Sequence, residues 1–230
     1  GIINGADLWE VISSTKEVQS VPYPYAGLNE KIGGCRLGEI VTICAGSGLG
    51  KSQLTREFAY HLMDSGATIG YIALESDNLL NKIRYLARGC GCQYIILDHI
   101  SIVVSGMEGG DERRTIDTLM TKLRCLTEEL DIGMIVVSHL KRPSGDKGHE
   151  EGMMTSLSQL RGSASIGQLS DIVIGLERNQ QDEETSNTTT LRILKNRWSG
   201  ATGVAGQLTY STETGRMSEN ESTLHDDIPF

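Results

Sequence analysis

Short apolar runs recur along the chain, separated by segments whose apolar positions have a helical spacing. Strand-like runs occupy residues 39–44, 69–74, 94–98, 134–139, 172–176 and 190–194, with a hairpin-like stretch at 203–210. Helical patterns occupy the segment with Leu54, Phe58, Ala59 and Leu62 on one face, then 79–88 and 114–130. Continuous apolar runs are typical of strands that are buried on both faces. The alternation therefore predicts an α/β fold with a mostly parallel central sheet and helices on both faces.

The same pattern divides the chain into three parts. Residues 1–25 hold a short amphipathic helical pattern followed by Pro22 and Pro24, which cannot continue a helix. We expect an N-terminal arm or linker helix here, either packed on its own domain or bound to a partner. Residues 26–212 carry the strand and helix patterns of the core. Residues 213–230 are acidic, with Arg216 as their one arginine and no lysine, which predicts a disordered tail.

Composition narrows the environment and the partners. The net charge is −9, so a nucleic acid would have to bind a local basic surface. The five cysteines form no C-x-x-C pair, and buried free thiols, Cys44 and Cys125 among them, are the favoured interpretation. No signal peptide and no apolar run of membrane-spanning length is visible. We expect a soluble intracellular protein without membrane association.

A phosphate-binding loop is predicted directly after the first strand. Residues 45–52 read A-G-S-G-L-G-K-S and match G-x-x-x-x-G-K-[ST] except for Ala45 at the first position. Glycines allow successive backbone N–H groups to point at a phosphate, and the following helix adds its positive end. Lys51 would reach the β- and γ-phosphates, and Ser52 would ligate Mg²⁺. The loop residues predicted to bind nucleotide are Gly46, Ser47, Gly48, Gly50, Lys51 and Ser52.

Polar residues end three of the predicted strands. In parallel sheets ligands bind at the carboxyl ends of the strands, so these residues should share one edge. Asp98 is predicted to hold Mg²⁺, and Glu75 to orient or deprotonate the attacking water. His139, after Ser138, could contact the γ-phosphate and report its loss. Arg178 and Arg197 are either solvated surface residues or, in an oligomer, arginines that reach a neighbouring subunit's nucleotide.

Four segments give the chain its resemblance to a known family. They are residues 95–105 (IILDHISIVVS), 149–152 (HEEG), 168–171 (QLSD) and 176–181 (LERNQQ). With the phosphate loop, they resemble the helicase domain of the bifunctional primase–helicases of short-tailed phages. Those proteins are ring-forming, DnaB-like helicases with a RecA-type P-loop core, related to the mitochondrial helicase Twinkle. The resemblance extends from about residue 26 to 230.

The resemblance implies a role for each site residue. Lys51, Ser52 and Asp98 match nucleotide and metal ligands, Glu75 the catalytic base and His139 the γ-phosphate sensor. Arg197 matches the arginine finger and Arg178 a second arginine that contacts nucleotide across the subunit interface. Tyr210 matches an aromatic residue that stacks on the base. The implied substrate is an NTP, either ATP or dTTP, with Mg²⁺.

The resemblance also implies partners. Lys141, Arg142 and Lys147 match one loop that holds single-stranded DNA in a central channel, and Arg161, Gly162 and Ser163 match a second. The implied assembly is a hexamer or heptamer that translocates 5′–3′ in the cytoplasm of a bacterial host. The acidic tail ending in Phe230 matches a segment that docks the replicative polymerase.

The chain departs from the family pattern in three places, and two other functions remain open. Gly167 stands where the family has a basic residue, and the segment between Glu75 and Asp98 is several tens of residues shorter. The N-terminal zinc-binding and primase domains have no counterpart, so no primer synthesis is expected from this chain. One rival is a RecA-type recombinase that forms filaments. The other is an NTP-gated assembly module that binds nucleotide without turnover.

Overall fold

The computed structural model of the chain describes residues 19–73, 78–100, 109–141, 148–160 and 164–220, with only the backbone of 109–111. The strands are β1 (Ser20–Val21), β2 (Cys35–Arg36), β3 (Ile40–Ala45), β4 (Ile69–Ala73), β5 (Tyr94–Asp98), β6 (Gly133–His139), β7 (Ile172–Glu177), β8 (Thr188–Asn196), β9 (Gly203–Tyr210) and β10 (Met217–Glu219). The helices are α1 (Ala26–Ile32), α2 (Lys51–Asp64), α3 (Leu79–Arg84), α4 (Gly109–Leu130) and α5 (Ala164–Leu169). A π-helical turn (Tyr85–Gly89) continues α3, and a 3₁₀ turn lies at Leu157–Gln159.

One eight-stranded sheet organises the described residues, in the order β10-β9-β8-β7-β3-β6-β5-β4. The five strands from β7 to β4 are parallel, and β8, β9 and β10 extend the β7 side as antiparallel neighbours. β3 lies in the middle of the parallel part, between β6 and β7. The loop after β3 is therefore flanked on both sides by strands that end at the same edge.

Helices cover both faces of this sheet. On one face Phe58 of α2 packs with Ile43 and Ile96, and on the other Leu123 of α4 packs with Ile40 and Ile95. Successive residues of a strand point to opposite faces, so two apolar faces require the uninterrupted apolar runs seen in the sequence. The predicted α/β fold with a mostly parallel sheet covered on both faces is confirmed.

The predicted boundaries of the N-terminal arm and the C-terminal tail are wrong for the parts that the structure describes. Residues 20–25, assigned to the arm, belong to the core, because β1 pairs with β2, and Tyr23 and Tyr25 pack on Phe58. Residues 213–220, assigned to a disordered tail, contain β10, which pairs with β9. The rest of both segments, 1–18 and 221–230, lies outside the described residues.

Residues 213–220 were predicted to be disordered from their acidic composition. They pack on the core because two of their charged residues have specific partners. The Glu219 carboxylate accepts hydrogen bonds from the N–H groups of Ala26 and Gly27 at 2.6 and 2.9 Å, at the start of α1. The Arg216 guanidinium pairs with the buried Glu57 of α2 at 2.9 Å. Composition counts charges but does not reveal which of them are paired.

Two smaller predictions concern cysteines and membranes. All five cysteines are free, and Cys44 is buried as expected, whereas Cys125 is exposed on α4, so its predicted burial is wrong. Among the described helices, none combines the length and apolar character that crossing a bilayer requires.

Candidate nucleotide-binding and catalytic site

The loop predicted to bind phosphate joins the end of β3 to the first residue of α2. Gly48 and Gly50 have φ values of 74° and 93°, a conformation that favours glycine. Gly46 faces a tight neighbour, because a Cβ built there would stand 2.6 Å from Cβ of His149. The backbone thus follows the course that a strand, a glycine turn and a helix N-terminus predict.

Lys51 is buried against the loop that precedes it. Its ammonium group donates hydrogen bonds to the carbonyls of Ala45 at 3.1 Å and Gly46 at 2.5 Å. Burial lowers the pKa of Lys51 to about 8, and the nearby Cys44 thiol and Asp98 carboxylate limit that decrease. The side chain is held where phosphate oxygens can replace the two carbonyls as acceptors.

Asp98 ends β5 and is connected to α2 through Tyr71. The Tyr71 hydroxyl donates to Oδ2 of Asp98 at 3.0 Å and lies 3.1 Å from Oγ1 of Thr55. Thr55 in turn donates to the carbonyl of Ser52 at 3.0 Å. Burial and the Asp98 carboxylate raise the pKa of Tyr71, which keeps its hydroxyl a donor.

The oxygen donors at this point fit a magnesium ion. Ser52 is exposed at the start of α2, and Asp98 is only partly buried. Mg²⁺ prefers such hard oxygen ligands and is bound by one or two side chains, with phosphates and water completing its shell. Ser52 and Asp98 are the two described residues that would hold it.

His139 ends β6 beside the phosphate loop. In the parallel pairing of β3 with β6, its Cα lies opposite that of Ala45, where the loop begins. Its ring makes a T-shaped contact with His99, the residue after Asp98, with ring centroids 4.4 Å apart. This places His139 between the phosphate loop and the carboxylate that ends β5.

The strand that precedes the predicted catalytic base ends beside Asp98. Glu75 lies outside the described residues, two positions after Ala73, the last residue of β4. Ala73 is the register partner of Asp98 in the parallel β4–β5 pair. The described strand that leads to Glu75 therefore ends next to Asp98.

Arg197 lies at the opposite edge of the sheet. It directly follows β8, its N–H donates to the carbonyl of Asp171 at 2.9 Å, and its guanidinium is 3.4 Å from the Asp171 carboxylate. Asp171 also accepts the N–H of Ile40, the first residue of β3. Because β3 separates that end from the phosphate loop by five residues, the two lie about 17 Å apart along the strand. Arg197 is 70% exposed and cannot serve its own chain's phosphate loop.

Arg178 and Tyr210 lie at the phosphate-loop edge. Arg178 follows β7, and its Nε donates to the carbonyl of Ser186. Tyr210 ends β9, pairs with Met217 of β10 and packs partly buried against the core. Met217 approaches the loop, since its Cε is 3.8 Å from a Cβ built on Gly50.

Of the residues predicted to bind DNA, the structure describes only Lys141, which is exposed just after β6. Arg142, Lys147, Arg161, Gly162 and Ser163 lie outside the described residues. Gly167 is part of α5, where a Cβ would meet Leu160 at 3.3 Å.

Several residues of this site were not singled out by their sequence. Tyr71, Asp171, His149 and Gln180 touch site residues, although no motif names their roles. Three of them lie within the segments that carry the family resemblance, which was the available signal. Tyr71 had a weaker signal, because it lies in the predicted strand 69–74, which leads to the predicted base.

A known phage protein is similar in sequence to most of this chain. A DNA helicase/primase of Enterobacteria phage T3 is 35% identical over 261 positions, which cover 86% of this chain and 45% of the relative. The chain therefore spans less than half of that relative's length. Because 86% of 230 residues fill 261 aligned positions, several tens of those positions have no residue here.

Solved structures show the same fold. One of them, an isolated ATPase domain, superposes with a TM-score of 0.75 at 18% identity, covering 94% of this chain and 96% of the other. A DnaB-like replicative helicase, studied with its interactions with primase, has a TM-score of 0.73, also at 18% identity, covering 92% of this chain and 66% of the other. The RecA-like α/β fold predicted from the sequence is thereby confirmed.

The family model for the DnaB-like helicase C terminal domain matches residues 71–219, which is more than half of the chain. That match begins in β4 and ends with β10, so it contains the strand ends with Asp98 and His139 as well as Arg178, Arg197 and Tyr210. The chain belongs to the DnaB-like helicases, through the C-terminal domain of that family.

Proposed function

We propose that this domain hydrolyses a nucleoside triphosphate, ATP or dTTP, and uses that energy to translocate 5′–3′ along single-stranded DNA as a replicative helicase ring. The observation that carries this proposal is the separation of Lys51 and Arg197. Lys51, Ser52, Asp98 and His139 gather at one edge of the sheet, and Arg197 lies exposed at the other. A closed ring of six or seven subunits brings one subunit's Arg197 edge to the next subunit's phosphate loop.

Within each site, the residues divide the work of phosphoryl transfer. Lys51 and the loop amides bind and orient the β- and γ-phosphates, and Glu75 orients the attacking water and accepts its proton. Mg²⁺ held by Ser52 and Asp98 would neutralise phosphate charge. His139 contacts the γ-phosphate, and Arg197 of a neighbouring subunit stabilises transition-state charge. Arg178, at the phosphate-loop edge, is the second arginine that contacts nucleotide across the subunit interface. Tyr210 stacks on the base.

DNA and protein partners contact other parts of the domain. Lys141, Arg142 and Lys147 form one set of contacts to the single-strand phosphates, and Arg161, Gly162 and Ser163 form the second. The tail ending in Phe230 docks the replicative polymerase. The protein acts in the bacterial cytoplasm and has no membrane partner.

Mixing two inactive variants tests whether the site is completed in trans. We expect Lys51→Ala to abolish hydrolysis and Arg197→Ala to lower kcat about a thousandfold. In a mixture, the intact phosphate loop of one variant meets the intact Arg197 of the other, so hydrolysis should return at the shared interfaces. The measurement is steady-state NTP hydrolysis with single-stranded DNA, for each variant alone and for mixtures.

The outcomes separate the proposed ring from its rivals. Recovery on mixing, with rates that rise with DNA and with subunit concentration, supports the ring. A mixture as inactive as its components contradicts a site shared between subunits. Nucleotide binding without turnover in the unmodified protein would favour the assembly module, and filaments on DNA in electron micrographs would favour the recombinase.

A further inference from the structure

His149 lies between the phosphate loop and the base of the segment proposed to bind DNA. Its side chain is only 5% exposed. Its Cβ and Cγ would stand 2.6 and 3.3 Å from a Cβ at Gly46, so the ring rests directly on the loop backbone. Replacing Gly46 by any larger residue would displace His149.

The same ring bonds to Lys141. Nε2 of His149 lies 2.9 Å from the carbonyl of Lys141. A carbonyl oxygen only accepts, so Nε2 carries the proton and donates. The N–H of Lys141 donates to the carbonyl of Gln159 at 2.7 Å, and the preceding N–H, of Leu140, donates to Ala45 at 3.1 Å. The backbone from which the exposed Lys141 side chain projects is therefore attached to the phosphate loop and to His149.

A second contact fixes His149 and its neighbour from the other side. The Gln180 side-chain amide donates to the carbonyl of Gly48 at 3.1 Å, and the backbone N–H of Gln180 donates to the carbonyl of Glu150 at 2.8 Å. Residues 149 and 150 are thus held between the phosphate loop and the segment after β7. A change in the loop backbone cannot leave them undisturbed, because close-packed groups transmit displacement.

Lys51 supplies the event that such a contact would transmit. Its ammonium donates to the carbonyl of Gly46, the residue on which His149 rests. A triphosphate in the loop offers the ammonium charged oxygen acceptors, which form stronger hydrogen bonds than carbonyls do. Binding therefore changes the hydrogen bonding of the Gly46 peptide beside the His149 ring.

We propose that His149 is a positioning residue that couples the phosphate loop to Lys141, so that binding of a triphosphate changes how Lys141 is presented to single-stranded DNA. The coupling rests on the proposed function, since it presupposes DNA binding that depends on nucleotide. His149 itself touches neither phosphate nor DNA in this scheme. It acts through its packing on Gly46 and its hydrogen bond to Lys141.

Three substitutions separate the hydrogen bond from the packing. His149→Gln places an amide donor near the position of Nε2, whereas the shorter His149→Asn does not reach Lys141. His149→Leu retains apolar packing against Gly46 without any donor and replaces His149→Asn should that variant not fold. His61→Asn, on the last turn of α2 and far from Lys141 in the chain, is the matched control.

The measurement is fluorescence anisotropy of a labelled oligo-dT, titrated with protein in a non-hydrolysable triphosphate and in the diphosphate. The ratio of the two DNA dissociation constants is the coupling, and couplings of this kind are about 5- to 150-fold. We expect His149→Asn and His149→Leu to reduce the ratio at least fivefold, and His149→Gln and His61→Asn to stay within about twofold of the unmodified protein. Thermal unfolding of each variant is recorded in parallel.

The outcomes distinguish this inference from the proposed function. An unmodified protein with a large ratio that His149→Asn and His149→Leu preserve contradicts the coupling alone. Equal loss in His149→Gln and His149→Leu also contradicts it, because the donor would then be irrelevant. An unmodified protein that binds DNA equally in both nucleotides contradicts the proposed function, and the coupling with it.

Discussion

Asp171 holds Arg197 by both its backbone and its side chain. The carbonyl accepts the Arg197 N–H at 2.9 Å, and the carboxylate lies 3.4 Å from the guanidinium while also accepting from Arg124 at 2.5 Å and from the Ile40 N–H at 2.8 Å. The carboxylate is 8% exposed, in contrast to the largely exposed arginine. A buried anion thus anchors an exposed cation at the start of β3, the strand that leads to the phosphate loop.

Asp171→Asn should therefore affect both stability and hydrolysis. Removing the charge leaves Arg124 without its buried counterion, and breaking a buried pair costs about 3 kcal/mol of unfolding free energy. We also expect kcat to fall about tenfold, less than in Arg197→Ala, because the arginine is retained but less well oriented. Urea denaturation and DNA-stimulated hydrolysis measure the two effects.

Glu128→Gln is the control for this prediction. Glu128 is the exposed partner of the same Arg124, at 2.8 Å, and exposed ion pairs contribute little. We expect the unfolding free energy to fall by less than about 1 kcal/mol and kcat to stay unchanged. A hydrolysis rate in Asp171→Asn equal to that of Glu128→Gln would refute the positioning of Arg197 by Asp171.

The lowered pKa of Lys51 predicts how stability depends on pH. In the folded protein Lys51 loses its proton near pH 8, whereas in the unfolded chain it keeps it to about pH 10.5. The unfolded state thus binds more protons between these values, and the free energy of unfolding should rise with pH there. Below pH 8 burial of the charged lysine costs up to about 3 kcal/mol.

Lys51→Met removes the buried charge and so isolates its cost. We expect the variant to be more stable than the unmodified protein at pH 7 and the difference to shrink towards pH 9.5. Urea denaturation at about pH 7, 8, 9 and 9.5 measures this difference in unfolding free energy. A difference that is independent of pH would mean that Lys51 does not titrate in this range.

Tyr71→Phe should weaken the metal site without unfolding the protein. The hydroxyl donates to Asp98, and a hydrogen bond of about 1 kcal/mol corresponds to about a fivefold change in affinity. We expect the Mg²⁺ concentration for half-maximal hydrolysis to rise by about that factor, with little change in kcat at saturating Mg²⁺. Tyr85→Phe, on the exposed π-helical turn, is the control. Equal Mg²⁺ requirements in the two variants would show that Tyr71 does not support Asp98.

Glu57→Ala tests the docking of residues 213–220. The buried Glu57 carboxylate accepts from the N–H of Met217 at 3.0 Å and pairs with Arg216. Leaving a buried N–H unsatisfied costs about 2 kcal/mol, so the unfolding free energy should fall by at least that amount. Glu213→Ala, at an exposed position nearby, should change it by less than about 0.5 kcal/mol. An unfolding free energy that Glu57→Ala leaves unchanged would argue against stable docking of β10 on α2.

The boundaries of strands and helices show where the local pattern sufficed and where it did not. The strand ends at Asp98 and His139 were predicted to the residue, because buried parallel strands are continuous apolar runs that stop at a polar residue. α4 begins at Gly109, five residues before the prediction, and α3 ends at Arg84 before a π-helical turn. Terminal turns depend on what they pack against, and that information is not local.

The sequence by itself determined the fold class and the phosphate-binding edge, since apolar period and glycine spacing are local properties that a parallel sheet converts directly into position. Tertiary structure alone decided which residues meet across the chain. Asp171 lies 26 residues before Arg197, Glu57 lies 160 before Met217, and His149 reaches back to Gly46. Such pairs depend on which strands and helices lie next to each other in the folded sheet. A buried ion pair, or a ring packed against a glycine, produces no periodic pattern in the sequence from which it could be predicted.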